Sequence, residues 1–371
     1  MFIFSPSPRI KRSPFYDSTV KEGVKSFYPY NNVFLPTGYG NPKKEYWNLI
    51  NGVTMWDVGC QRQIQLLGED SEKLAQILSP RIITDLDIGQ SKYIPLCNHM
   101  GTIINDPIIL KLDNNKFWFS IADSNILFWA RSIAYERNMK VEIIEADASP
   151  LAVQGPKAED ILSSLIGNWI REIKHYRFKE TNLEGIPLII ARSGWSKQGG
   201  FELYLMDKNK GTKLWNLVKE AGKPWNISPG YPNTTERIEN GLLSWGGDTD
   251  DETNPFEVRL KKFVDLDLDN EVIGMTALKK IDKEGPKRHQ LGIIIHSDEK
   301  RSSHPKWFDI IDKNEKVGSV TCGIWSWKFN KNIGFALISR DYKSGDKVKV
   351  KIEKDYVSAT LTDLPFNLQE V

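Results

Sequence analysis

Cysteine is scarce: Cys60, Cys97 and Cys322 are the only three in 371 residues, and they lie far apart. With no CxxC pair and no Cys/His cluster there is no zinc signature, and three scattered thiols cannot lay out a disulfide framework. Histidine is nearly as sparse. His99, His175, His289, His296 and His304 show no HExxH or comparable ligand spacing, so no metal site is expected. Charge of one sign is missing too. Fifty basic residues face 48 acidic ones, and a net charge of +2 gives no field that would select nucleic acid or a membrane surface. No apolar run approaches the roughly 18 residues a bilayer-spanning helix needs. The opening segment, Met1–Phe15, has too short an apolar stretch and no small-residue cleavage site for a secretory signal. A cytoplasmic protein with reduced thiols is the expectation. Thr37–Pro42 contains a G-x-G but lacks the third glycine and the strand–helix setting of a dinucleotide site, which excludes a Rossmann fingerprint there.

Aromatic residues are plentiful by contrast. Twelve tryptophans are a generous number, and aromatic faces serve cores or cup flat and cationic ligands. The most informative stretch is Ile190–Leu205. It begins as an apolar strand, breaks at Ser193-Gly194 and again at Gly199-Gly200, then resumes as Phe201-Glu202-Leu203-Tyr204-Leu205. Alternation puts Phe201, Leu203 and Leu205 on one face, with Glu202 and Tyr204 on the other. That second face reads either as a recognition wall, fed by a Gly-rich loop carrying Trp195 and Lys197, or as the solvated side of an ordinary hairpin.

The remaining pattern is mixed α+β followed by an all-β tail. Residues 1–45 read as a surface wrap without regular elements. Val53–Leu67 reads as strand broken near Gly59-Cys60, Asp70 as the cap of a helix over Ser71–Leu78, and Thr102–Ile121 as a hairpin. Asp123 or Ser124 caps a helix reaching about Asn138. Pro156 suits the first turn of another, which Gly167 closes. Further helices are expected from Thr212 to about Glu220, and from Thr234 or Thr235 through Arg237, Ile238, Leu242 and Trp245 to Gly246-Gly247. Leu291–Ile295, Val317–Thr321, Ile333–Ser339 and Val348–Ile352 read as strands of a small barrel or sandwich.

Arg192-Ser-Gly-Trp-Ser-Lys-Gln-Gly-Gly-Phe-Glu-Leu203 resembles the R-[TS]-G-[YW]-[TS]-x-x-x-G-[FY]-E-[LV] segment of the folate-dependent aminomethyltransferase family, which includes the glycine cleavage T-protein. Other segments match in the same order, among them Gln154-Gly-Pro-Lys157 and Asn254-Pro-Phe-Glu257. The Ser193–Gly200 loop and Ile121-Ala-Asp-Ser124 are most similar to the family's dimethylsulfoniopropionate demethylase branch. The resemblance implies a three-domain clover-leaf around a central folate pocket, with a C-terminal all-β, barrel-like domain. The implied division is 1–62 plus 148–238, 63–147 plus 239–287, and 288–371.

The resemblance also implies roles. Asp106 matches an aspartate set against the reacting nitrogens of folate, although its preceding partner is Asn105 here. Taken alone, Asn105-Asp106-Pro107 is ordinary turn chemistry. Tyr93, thirteen positions earlier, matches a folate-contacting tyrosine. Glu202 matches the glutamate on the pterin's aminopyrimidine edge, and a carboxylate suits two parallel N–H donors. Tyr204 can bound the same pocket. Arg237 can meet the folate tail or pair with Glu236 or Glu239. A family arginine of the T-protein active site is Asn233 here, and a T-protein asparagine is Ala122.

Tetrahydrofolate is therefore the expected co-substrate, without metal, flavin or corrinoid. The expected activity is methyl transfer from the sulfonium of dimethylsulfoniopropionate to N5, giving 5-methyltetrahydrofolate and methylmercaptopropionate. A sulfonium is an activated donor, so placement supplies most of the acceleration. A zwitterionic donor needs an aromatic face, for which Trp195 and Tyr204 are candidates ahead of Trp118 and Phe119, and a cation for its carboxylate, for which Lys197 or Arg62 are candidates. The alternatives are a T-protein-like aminomethyltransferase or a demethylase of another onium acid such as glycine betaine. A folate-binding iron–sulfur assembly protein would carry a K-G-C-[FY]-x-G-Q-E motif, which is absent. The partner expected is a small molecule, with a monomer or homodimer as the working state.

Overall fold

Two compact units make up the chain in the computed structural model, which describes residues 7–304 and 306–369. One unit comprises Met1–Glu72, Leu86–Lys92 and Ile108–Asn233. The other comprises Lys73–Asp85, Tyr93–Pro107 and Thr234–Val371. The sequence reading of the first six residues falls outside the described part.

The first unit is built on two sheets. A six-stranded sheet runs in the order Phe178–Leu183, Ile186–Ala191, Gly200–Leu205, Ser149–Gln154, Thr54–Asp57 and Ser228–Gly230, antiparallel except at its last pair. A five-stranded sheet runs Glu142–Ala146, Gln63–Leu67, Lys116–Ser120, Ile108–Asp113 and Gln90–Tyr93. One face of the larger sheet, with Phe201, Leu203 and Leu205, packs on the helices Ala158–Ile166 and Gly211–Gly222. Those helices present Ile161 and Leu162, and Leu214, Trp215 and Val218, at the three- and four-residue spacing of an inward stripe. The other face carries Tyr204 with Ile189 and Ala191 against Leu110 and Trp118 of the smaller sheet. The polar alternation at Glu202 and Tyr204 therefore marks a covered face, and the solvated-hairpin reading is corrected.

The second unit ends in a closed barrel of Arg288–Ile295, Lys331–Ser339, Glu315–Ser326, Phe308–Asp312, Lys347–Ile352 and Asp355–Thr362. Closure leaves no edge strand, and it decides the barrel-or-sandwich alternative. Alternating Val348, Val350 and Ile352 point inward while Lys347, Lys349 and Lys351 stay exposed. The same unit holds the short pair Leu96–Cys97 and Ile103–Asn105 and the helix Met275–Glu284.

Several local expectations need correction. The supposed wrap contains a helix at Tyr16–Lys21, a hairpin of Ser26–Tyr30 and Val33–Gly38, and a helix at Pro42–Asn51. Asn31 and Asn32 turn that hairpin with φ of 49° and 58°, and Asn41 caps the second helix through the Lys44 amide. Pro156 precedes its helix, which starts at Ala158. Asp123 accepts the Asn31 amide at 2.7 Å, and the next helix starts only at Ile126. The helix from Thr234 stops at Glu239, because Gly241 takes φ of 68° and turns the chain before Leu242.

Candidate functional site

In the first unit, Glu202 projects from the middle of the six-stranded sheet and is 5% exposed. Two hydroxyls hold it, Ser193 Oγ at 2.5 Å and Tyr204 OH at 3.4 Å, and both donate to Oε2. Among the described residues nothing bonds its Oε1. Burial raises the Glu202 carboxyl above its ordinary range, while Ser193 and Tyr204 oppose the shift. Burial also pushes the Tyr204 phenol well up, so it remains a neutral donor. Its ring lies 6.4 Å from that of Trp118.

The loop between the two strand segments is pinned rather than free. Gln154 donates through Nε2 to the carbonyls of Ser193 at 3.2 Å and Phe201 at 3.4 Å, and its Oε1 accepts from Ser196 Oγ at 2.8 Å. The buried Gln154 side chain fills the space where Gly194 and Gly200 would carry a Cβ, and both have positive φ, 150° and 141°. Glycine at these two positions is what lets the loop close on the amide. Trp195 is half-buried on this loop, and Lys197 is exposed.

In the second unit, Tyr93 OH donates to Asp106 Oδ2 at 2.9 Å. The Asp106 carboxyl is pushed up to about 7, chiefly by burial, with the Tyr93 bond opposing the rise and the charge of Asp248 adding to it. Tyr93 is fixed from behind, its ring edge-on to Phe263 at 5.1 Å. Asp106 thus sits as a carboxyl poised near neutrality, the condition for exchanging a proton at physiological pH. Arg237 is buried and pairs with Asp248, Nη1 to Oδ2 at 2.7 Å. Asp248 is itself fully buried, and also accepts from the Ser244 amide at 2.8 Å and Thr321 Oγ1 at 3.2 Å.

The structure therefore brings Tyr93 to Asp106, and Glu202 to Tyr204 and Ser193. It gives Arg237 a carboxylate, Asp248, beyond those on its own helix. Arg62, one candidate for a substrate carboxylate, is paired with Glu145 at 2.7 Å. Sequence reasoning missed Ser193, Asp248 and the anchoring task of Gln154. The only signal for the last was its place just before Gly155-Pro156. Among the described residues no cluster of three or more His, Cys, Asp and Glu could hold a metal, the three cysteines are free and buried, and no helix is long and apolar enough to cross a membrane.

The crystal structure of the glycine cleavage system aminomethyltransferase T from Bartonella henselae superposes with a TM-score of 0.84 over 96% of this chain and 98% of that one, at 21% identity. The chain matches the GCVT N-terminal domain over residues 15–268 and the glycine cleavage T-protein C-terminal barrel domain over 288–367. It belongs to the folate-dependent aminomethyltransferase family. Its relatives include the dimethylsulfoniopropionate demethylase DmdA of Ruegeria pomeroyi, 37% identical over 91% of this chain and 92% of that protein. They also include an aminomethyltransferase of Thermosipho melanesiensis, 30% identical over 96% and 97%. Most of the other similar proteins bear the name aminomethyltransferase.

Proposed function

We propose that the protein is a tetrahydrofolate-dependent methyltransferase that demethylates dimethylsulfoniopropionate. The observation that carries the folate part is Glu202, a buried carboxyl with one oxygen held by two hydroxyls and the other bonded by none of the described residues. A carboxylate so placed suits the paired N–H groups of an aminopyrimidine edge. Tyr204 bounds that site. Asp106, steadied by Tyr93, orients N5 and accepts its proton. As the N5–CH3 bond forms the S–CH3 bond breaks, and its electron pair stays on sulfur in the thioether. Trp195 faces the sulfonium, and Lys197 is one cation for the carboxylate. A folate-tail contact by Arg237 would be made beside its pair with Asp248. The three-domain clover-leaf with a central folate pocket belongs to this reading and is carried by family resemblance alone.

Support for the sulfonium donor comes from the higher identity to the demethylase, from Trp195 and Lys197, and from Asn233 and Ala122 in place of T-protein residues. An aminomethyltransferase is the second reading, favoured by the names of most relatives and by the likeness to a solved aminomethyltransferase.

Anaerobic incubation with tetrahydrofolate and dimethylsulfoniopropionate, read by mass spectrometry, tests the proposal. The expected result is 5-methyltetrahydrofolate and methylmercaptopropionate in equal amounts, with folate affinity at least ten-fold weaker in Glu202→Ala. Folate binding without either product removes the donor and leaves an aminomethyl carrier to be tried. Unchanged folate affinity in Glu202→Ala removes the pterin assignment.

A further inference from the structure

Arg259 carries two features that the proposed function leaves unused. Its backbone is left-handed, with φ of 64°, a conformation natural to glycine and strained for a long side chain. Its guanidinium is half-buried yet meets only neutral acceptors among the described residues. Nε donates to Oε1 of Gln290 at 3.0 Å, and Nη2 to the carbonyl oxygen of Gly241 at 2.6 Å. Two other arginines of the same unit are matched differently. Arg237 takes Asp248, and Arg288 takes both Asp250 and Glu257.

An arginine does not shed its proton in a protein, so Arg259 is a fixed, partly desolvated cation lacking a carboxylate at bonding distance. Burial holds it below its usual range, and the influences of Asp248 and then Tyr93 oppose that shift. The planar fork of a guanidinium fits a carboxylate in two parallel bonds, which a lysine cannot reproduce. Arg62 is occupied by Glu145, and Lys197 offers an exposed point charge rather than a fork. Two acid groups, on donor and folate, leave a place for a cation of this kind.

We propose that Arg259 is a carboxylate-binding residue, anchoring either the acid group of the methyl donor or the glutamate of folate. The inference rests on the reading of the protein as an onium-acid and folate enzyme, and extends it to a residue that neither sequence motif nor family resemblance singled out. A strained backbone at this position is then the cost of holding a fork-shaped cation between Gln290 and the Gly241 carbonyl.

Arg259→Gly accepts φ of 64° without strain but gives up the bonds to Gln290 and Gly241. Its melting temperature is therefore measured beside Arg259→Lys, which keeps a cation at the site. Calorimetric titration of parent, Arg259→Gly and Arg259→Lys with methylmercaptopropionate, tetrahydrofolate and glutamate-free tetrahydropteroate separates the two sources. A ten-fold or greater loss on methylmercaptopropionate, with Arg259→Lys intermediate, assigns Arg259 to the donor. The same loss on tetrahydrofolate but not tetrahydropteroate assigns it to the glutamate. Equal affinities in parent and Arg259→Gly, or a parent that binds neither acid, overturn the inference. Formation of 5-methyltetrahydrofolate by the parent is read separately. A parent that makes none, yet loses carboxylate affinity in Arg259→Gly, sinks the donor and keeps the residue.

Discussion

Asp106 shows how one side chain can be set for its task by opposing influences. Its carboxyl is raised from 3.8 to about 7 in all: burial supplies most of the rise, the Tyr93 phenol subtracts from it, and Asp248 adds to it. The sign for stability follows from linkage. A carboxyl whose folded pKa is raised favours the fold fully below about pH 4, and that contribution is lost as pH rises through about 7. Ionised Asp106 is therefore kept at some expense to stability, as expected of a working group rather than a structural one. If its carboxylate serves turnover, the rate falls on acidification below about pH 7. Tyr93→Phe should move that limb upward, because the bond that favours the ionised form is gone. Asp106→Asn should lower the rate by about ten-fold or more and melt no lower than the parent at pH 8. A pH–rate profile of the three proteins checks this, and an unmoved limb in Tyr93→Phe would sink the assignment.

At the scale of elements, the Ser193–Gly200 loop is a device whose parts were legible and whose fastening was not. Apolar alternation and the two Gly breaks located the strand, the loop and both polar residues on one face. The sequence could not show that a second sheet covers that face, because Trp118 and Tyr204 are 86 positions apart and meet only through tertiary packing. Gln154 was equally opaque, since its three bonds reach residues about 40 positions on. Periodicity likewise found the helices Ser71–Leu78 and Gly211–Gly222, where an apolar stripe is strong. It overran at Gly241, where one left-handed residue ends the helix. Gln154→Ala leaves the Ser193 and Phe201 carbonyls and the Ser196 hydroxyl without these bonds, so a loss of about 1–3 kcal/mol is expected. The same bonds hold Ser193 and Ser196, the residues two before and one after Trp195. On the proposed onium-acid reading, the KM for the donor should therefore rise more than kcat falls. Denaturant unfolding and steady-state kinetics on one preparation check both, and a variant with parental KM would free Trp195 from any dependence on Gln154.

For the molecule as a whole, the Arg237–Asp248 pair ties the second unit's parts to one another. Arg237 comes from the helix Thr234–Glu239, Asp248 from the turn after it, and Thr321 on the barrel strand Glu315–Ser326 donates to the same carboxylate. A buried pair of this kind adds little over an apolar replacement, but breaking it strands a charge. Arg237→Met alone should cost about 3–5 kcal/mol, and Arg237→Met combined with Asp248→Leu should recover most of that loss. The double variant also separates two duties. If Arg237 serves the pair, the double variant keeps its folate affinity; if it serves the folate tail, the variant folds but binds weakly. We expect the affinity to be kept. Removing the Asp248 charge also removes one influence that raises Asp106, so the acid limb of the rate should move to lower pH. A limb that stays in place while the protein remains folded would show that fastening the unit and tuning the carboxyl are separate tasks.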